Sequence, residues 1–424
     1  MKTIITLLAL TLGASAACAK TTVLTADRMI DVENGKLITN AVVVMEDNTI
    51  VAAGTKRSVT IPSDAEVMEL GDYTLMPGLM DMHVHLTSDA TKHGYKRLAD
   101  SLPRVTLTGV KHAEATLMAG FTTVRNVGAP GFADVALRDA INDGDIQGPR
   151  MFVSGPSLGV TGGHCDNNLL PYEFHSVSEG VADGPWAVRE IVRRNIKYGA
   201  TVIKFCGTGG VLSKGTKVGV QQYTFEEMQA LVDEAHMRGL TVATHAHGTS
   251  GIKTAIKAGV DSVEHVSLLD EEGIELALEH GTYFSMDIYV TEYILSEGEK
   301  AGILEESLAK ERIVGKRQRE NFQKAVKAGV KMVFGSDAGV YPHGDNGKQF
   351  ARMVRFGMTP MQAIQAATIH PATLLKQQET LGSISAGKKA DIVGVKGNPL
   401  DDISLLENVG LVVKDGHIVK SVAM

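Results

Sequence analysis

The feature that most constrains this chain is a junction that recurs six times: an amphipathic stretch closes on a glycine, and an apolar, β-prone run begins at once. Gly120 leads into residues 121–124, Gly199 into 200–204, Gly239 into 240–245, Gly259 into 260–265, Gly281 into 282–286 and Gly329 into 330–334. A glycine just past a helix end takes the left-handed conformation at little cost, and the basic residues before most of these glycines suit the negative end of a helix. Two more β-prone segments, 79–86 and 150–157, bring the strands to eight. Eight such units in series predict an α/β protein built as a (β/α)8 TIM barrel, with its chemistry at the C-terminal ends of the strands.

The flanks have a different texture. Short β-prone runs at 22–24, 41–45, 50–53 and 67–70 alternate with turn residues, and so do runs at 390–395, 409–413 and 417–422, the last two joined by the turn Lys414-Asp415-Gly416. This predicts a composite β-sandwich domain drawn from both termini, residues 20–78 and 381–424, beside a barrel spanning 79–380. A length of 424 residues accommodates both.

Residues 1–19 read as an export signal: Lys2, an apolar run over 4–12, then small residues ending in Ala17-Cys18-Ala19, an A-x-A site that leaves Lys20 first. Cleavage after Ala16 is the alternative. Ser15 stands where a lipobox usually carries leucine, which argues against a lipid anchor, and the apolar run is too short for a mature membrane span. The expected location is periplasmic or secreted. A net charge of −7 with no basic stripe argues against a nucleic-acid partner. Once Cys18 is removed, Cys165 and Cys206 remain; two cysteines make no disulfide framework, and free thiols are expected, with a single bridge open in an oxidising compartment. A homo-oligomer is expected.

The strand ends carry the chemistry. The first strand holds His83 and His85, two apart and therefore on one face. The fourth ends at Lys204, the fifth at His245, the sixth at His265 and the eighth at Asp337. Imidazole and carboxylate suit zinc and similar divalent ions, while a lysine in an apolar strand is expensive to bury. Singly, each has an ordinary explanation: a strand-end histidine is usually a satisfied polar residue, and Asp337 is a fair helix cap. Their joint placement at one end of a repeating series is what points to a site.

That set, His-x-His followed by Lys204, His245, His265 and Asp337, resembles the signature of the amidohydrolase superfamily. The segments 77–85 and 381–392 match its flanking motifs, so the resemblance covers nearly all of the mature chain. The segments 204–213, 162–166 and 336–345 resemble the prolidase-like, imidazolonepropionase-related branch, which includes Xaa-Pro dipeptidases, carboxypeptidases releasing basic residues, and ochratoxin-type amidohydrolases. The resemblance implies two divalent metal ions, zinc by default: His83, His85 and Asp337 would hold one, His245 and His265 the other. Lys204 would bridge them as a carbamate. A partly desolvated lysine near cations has a lowered pKa, which leaves a neutral amine to take up CO2. Asp337 is then the catalytic residue, accepting a proton from the attacking water and passing it to the leaving amine.

Substrate contacts are expected from His164 in a glycine-rich loop after strand three, His343 six residues beyond Asp337, His247 on the face of His245, and Ser88 and Tyr289 at strand ends. Arg125 ends strand two, where it pairs either with a substrate carboxylate or with a neighbouring acid such as Asp337. The expected partner is a small amide: a dipeptide or an N-acyl amino acid such as an N-acyl-phenylalanine. Related deaminases usually lack the strand-four lysine and carry a glutamate soon after the strand-five histidine; here Lys204 is present and Ala246-His247-Gly248 follows His245. A cyclic amide or lactone hydrolase remains an alternative on the same scaffold. A non-catalytic exported metal- or solute-binding protein is a remote one, because metal storage has no use for Lys204.

Overall fold

A computed structural model of the chain describes residues 20–421; the export signal expected over 1–19 lies outside them. The protein is a mixed α/β fold with parallel sheets at its centre. Five strands open the chain: β1 (Thr21–Asp31), β2 (Lys36–Glu46), β3 (Thr49–Thr55), β4 (Glu66–Glu69) and β5 (Tyr73–Pro77). Eight parallel strands follow: β6 (Leu79–Val84), β7 (Phe121–Asn126), β8 (Arg150–Val153), β9 (Val202–Cys206), β10 (Thr241–Gly248), β11 (Ser262–Leu268), β12 (Tyr283–Ser285) and β13 (Met332–Val333). Three more close the chain: β14 (Ile392–Lys396), β15 (Leu411–Lys414) and β16 (His417–Lys420).

All six junction glycines take positive φ, between 69° and 101°, as the opening pattern requires. Helices separate the parallel strands: α1 (Leu102–Met118), α2 (Ala133–Asn142), α3 (Pro185–Lys197), α4 (Phe225–Met237), α5 (Thr249–Lys257), α6 (Glu271–His280), then α7 (Val290–Ala301) with α8 (Glu305–Ala328). Three shorter ones, α9 (Lys348–Arg355), α10 (Pro360–Ala366) and α11 (Ile369–Leu374), follow β13. Their starts are written locally: Thr224 and Glu227 form a reciprocal capping box at α4, as Thr359 and Gln362 do at α10.

The parallel strands form two sheets, β6-β7-β8 and β9-β10-β11-β12-β13. Backbone bonds continue past both seams. Leu158 N donates to Lys204 O and Cys206 N donates to Leu158 O, both 2.8 Å, beside β9. At the other seam Met82 N donates to Phe334 O and His85 N to Ala338 O, again 2.8 Å. Strands expected over 150–157 and 330–334 are shorter than predicted, and these bonds carry the pairing beyond their ends. The segment leading to Asp337 is held by packing: Phe334 lies against Phe121 and Phe350, ring centroids 5.2 and 4.6 Å away, all three fully buried. Such pairs add about 0.5–1.5 kcal/mol each beyond area burial.

The terminal strands form one eight-stranded sheet, in the order β16-β15-β14-β5-β1-β2-β3 with β4 on β1. All eight belong to one hydrogen-bonded network, where two packed sheets were expected. The pleat sorts its side chains: Ala41, Val43 and Met45 of β2 enter one apolar core with Leu24, Leu75 and Ile392, while Val42 and Val44 turn to the other face with Val23. Strand β5 passes into β6 through Gly78, where a Cβ would fall 2.1 Å from Thr122 Oγ1, so only glycine fits this crossing.

Candidate metal centre

The strand register gathers the expected residues. Lys204 of β9 faces Ala243 of β10, and Ala246 of β10 faces His265 of β11. Asp337 lies beyond β13, tied back by its N–H to His83 O at 2.8 Å. The backbone is strained just there: His265, Val266 and Asp337 all adopt positive φ (70°, 52° and 58°), which for non-glycine residues costs of the order of 1 kcal/mol or more each and clusters at functional sites.

Two groups of ligand atoms lie within 4.8 Å of one another: His83, His265 and Asp337 in one, His245, His247 and His265 in the other. Nε2 of His83 and Nε2 of His85 are each 3.4 Å from Asp337 Oδ1. The opposite ring nitrogens are held from behind. His83 Nδ1 donates to Glu264 Oε2 at 3.0 Å, His265 Nδ1 donates to Asp287 Oδ1 at 3.0 Å, and His247 Nδ1 meets Ser267 Oγ at 2.7 Å. The two carboxylate bonds fix the tautomers of His83 and His265, leaving Nε2 of each as a lone-pair donor toward the interior. His245 Nε2 is buried with no hydrogen-bond partner among the described residues. An orphaned imidazole nitrogen beside other imidazoles and a carboxylate suits a divalent cation, so this donor set fits the metal ions that the sequence reading expects.

The electrostatics agree. Burial lowers the pKa of His83 to about 4 and holds those of His245 and His247 well below the ordinary histidine value, so these rings are neutral. Burial favours protonation of Asp337, but the imidazoles of His83 and His85 close beside it, the second a hydrogen-bond donor to it, outweigh burial and hold the carboxyl below its usual range. Lys204 is 3% exposed, and its side-chain amine makes no hydrogen bond or ion pair with the described residues. Burial brings its pKa down to about 8, which gives the amine an appreciable neutral fraction near neutral pH.

The substrate candidates divide. His164 joins the histidine cluster: its ring stacks on His245 at 4.0 Å, and Nδ1 meets Ser213 Oγ at 2.8 Å. His247 stacks on His265 at 4.7 Å. His343 lies behind His85, with Nε2 on His85 O at 3.1 Å, Nδ1 on Thr116 Oγ1 at 3.2 Å, and its ring stacked on His112. Both its ring nitrogens are therefore engaged. Ser88 sits exposed in the turn after His85, its N–H bonded to His85 O. Tyr289 packs edge-on against Tyr341 under Arg352 and lines a groove with Glu292, Tyr293, Asp345 and Lys348.

Arg125 resolves to the acid partner, though not Asp337. Fully buried, it donates to Glu264 Oε1 (2.7 Å), Met82 O (2.7 Å) and Ser262 Oγ (2.9 Å). Glu264 thus accepts from Arg125 on one oxygen and from His83 on the other. The cysteines correct the sequence reading: Cys165 and Cys206 are joined by a disulfide, Cα atoms 5.9 Å apart, because the loop carrying His164 folds back onto the end of β9.

Sequence reasoning missed Glu264, Asp287, Ser262 and Asp81. The last is buried and accepts from the N–H groups of His83 and Ser336 and from Asn346. The argument that singled out Lys204, a charge inside an apolar strand, applies equally to Glu264 between Val263 and His265.

A fold and a centre of this kind define an amidohydrolase, and the chain belongs to the Amidohydrolase family, whose model matches residues 74–419. Ochratoxinase of Aspergillus niger is 34% identical over 414 residues, covering 92% of this chain and 84% of that protein. A Xaa-Pro dipeptidase with methionine bound in its active site superimposes with a TM-score of 0.89 at 39% identity, covering 95% of this chain and all of the other. The A. niger ochratoxinase structure superimposes with a TM-score of 0.85 at 32% identity, over 95% of this chain and 96% of that one.

Proposed function

We propose that this protein is a binuclear metal-dependent hydrolase that cleaves the amide bond of a dipeptide or N-acyl amino acid and releases the C-terminal residue. The observation that carries the reading is the buried Lys204, whose amine has no partner among the described residues, beside the neutral His83 and His245 and an ionised Asp337. A largely buried amine with no protein acceptor is costly, and addition of CO2 would turn it into an anionic ligand. In this reading His83, His85 and Asp337 would hold one ion, His245 and His265 the other, and the carbamate of Lys204 would be a ligand shared between them. The neighbourhood of His247 to His245 and His265 makes it a further ligand candidate for the second ion. Zinc suits the donor set. When bound, such a pair supplies an acidified water and polarises the scissile carbonyl.

The chain's own residues do the rest. Asp337 would accept a proton at the carboxylate oxygen other than the Oδ1 that lies beside His83 and His85 and return it to the departing amine. Glu264 and Asp287 keep His83 and His265 in one tautomer. His164 offers Nε2, which has no protein partner among the described residues, to the substrate. The same reading takes the parallel strands as one closed (β/α)8 barrel over 79–380, and the terminal sheet, 20–78 with 381–424, as a composite domain. It also takes the mature protein to be exported and to associate with copies of itself. The relatives named for ochratoxin and Xaa-Pro substrates support an amide whose leaving group is an amino acid.

The test is hydrolysis by the zinc-loaded mature protein, read by mass spectrometry. The panel of dipeptides and N-acyl amino acids varies the C-terminal residue across Pro, Met, Arg, Lys and Phe, with ochratoxin A as a bulky N-acyl-phenylalanine. Cleavage confined to one C-terminal class fixes the reaction and its specificity. No cleavage with two ions bound refutes the proposal in favour of a cyclic amide or lactone.

A further inference from the structure

We propose that the Cys165–Cys206 disulfide is a positioning device: it fixes His164 against the metal centre, so that substrate binding depends on the redox state of this one bond. The proposal rests on the reading above for the role of His164, and on geometry for the rest. Strand β8 ends at Val153 and α3 begins at Pro185; the loop between them is long and has little regular structure. Ordered loops of that length need anchors. The bridge ties position 165, next to His164, to position 206, two residues beyond Lys204 on β9. With a strand period of two, Cys206 shares the face of Lys204. The bond therefore joins the loop directly to the wall that carries Lys204.

The other attachments of His164 are weaker in kind. Its N–H donates to Gln222 Oε1 at 3.0 Å, Nδ1 meets Ser213 Oγ, and the ring lies on His245. The space on its far side is closed by Gly210, where a Cβ would come within 2.3 Å of the ring. His164 is thus held between His245 and Gly210, and the disulfide is the only covalent link among the described residues that keeps the loop closed over that slot. Reduction by a phosphine proceeds as follows. Phosphorus attacks one sulfur and gives two electrons to the S–S bond, which breaks; water supplies the oxygen of the phosphine oxide and the protons of the two thiols. Oxidised glutathione reverses the change by thiol exchange, ending as two reduced glutathiones.

The experiment uses the metal-loaded mature protein as purified, after phosphine treatment, and as the Cys165→Ala variant. Readouts are the bridge itself by peptide mass, metal content, hydrogen exchange of residues 159–182, and KM and kcat on the best substrate of the panel. The expected result is a bridge in the purified protein. On reduction, and in Cys165→Ala, exchange should rise across 159–182 but not in β9 or β10. KM should rise at least about tenfold, in keeping with the cost of a misplaced binding group, with metal content unchanged. Oxidised glutathione should restore the treated protein but not the variant. Free thiols in the purified protein, or unchanged exchange on reduction, would overturn the proposal. So would faster exchange with KM unchanged while Gly210→Ala, which displaces the same ring with the bridge intact, raises KM. If no substrate is cleaved, the hydrolase reading fails on its own, and the bridge and exchange data still decide whether the bond holds the loop.

Discussion

Glu264→Gln tests whether the support behind the metal centre works as its geometry says. In the native protein Oε1 accepts from Arg125 at 2.7 Å and from Ser262 Oγ at 2.7 Å, and Oε2 accepts from His83 Nδ1 at 3.0 Å. A carboxylate can accept on both sides, whereas an amide has one oxygen and one NH2. If the oxygen stays with Arg125, the NH2 faces His83 and forces Nδ1 to accept. The ring proton then moves to Nε2 and removes the lone pair aimed at Asp337's side of the site. If the amide flips, its NH2 confronts the guanidinium instead. Either way the Arg125 charge, fully buried, loses its counter-charge, and breaking one side of such a pair costs about 3–5 kcal/mol. Loss of the outer bond to a ligating histidine costs about 10–100-fold in metal affinity. Two assays separate the terms: chelator competition for metal affinity, and urea unfolding of the metal-free protein for stability. Ser262→Ala is the control, expected to cost about 1.5–3 kcal/mol of stability, since Oγ bonds two buried charged groups, with little change in metal affinity. A Glu264→Gln protein with native metal affinity and native metal-free stability would refute the reasoning.

Three further outcomes follow from other residues. Lys204→Ala should abolish turnover, and short carboxylates such as acetate or propionate should restore part of it by filling the vacated bridge; rescue by ammonium compounds instead would show that a cation is needed there. Asp337→Asn should retain bound metal and lose about 10²–10⁴ in kcat, measured on the best panel substrate; retained turnover would remove Asp337 as the proton carrier. Glu311 of α8 is buried against Thr291, and burial pushes its carboxyl up to about 7. The folded state therefore keeps a proton that the unfolded chain releases above its ordinary value near 4.5, so stability is greatest below that value and falls as pH rises to about 7. Beyond that the penalty is about 3 kcal/mol. Glu311→Gln should flatten the slope and raise the urea midpoint at pH 8 relative to pH 5; equal pH dependence in both proteins would contradict this.

What was legible in the sequence was whatever repeats or sits at a fixed offset from a repeat. The six glycine junctions announced the parallel strands, and the ends of those strands announced His83, His85, Lys204, His245 and His265. Most terminal strands were visible as β-prone runs, but β5, which joins both halves of the sheet, was not among them. What stayed hidden depends on partners far apart in the chain. Arg125 and Glu264 are 139 residues apart, and no local pattern pairs them. The same holds for the Cys165–Cys206 bond, which two cysteines alone did not argue for. It also holds for His343, which local spacing put over the site and which long-range packing turned toward Thr116 and the His85 backbone.

The crossing at Gly78 has a consequence for how the chain reaches its native state. Strand β5 pairs with β14, Pro77 opposite Ile392, so the middle of the terminal sheet is a contact about 315 residues long. By chain statistics, closing that loop costs about 3 kcal/mol more than closing a ten-residue hairpin. One edge of β5 has no mate until β14 exists. Synthesis from the N-terminus cannot finish this sheet early; β1 to β5 must wait, with an open strand edge, for β14. A chain cut short before β14 would keep every strand-end ligand and lose the seam that joins its beginning to its end. For such a molecule the vulnerable interval lasts until β14 has been made and paired.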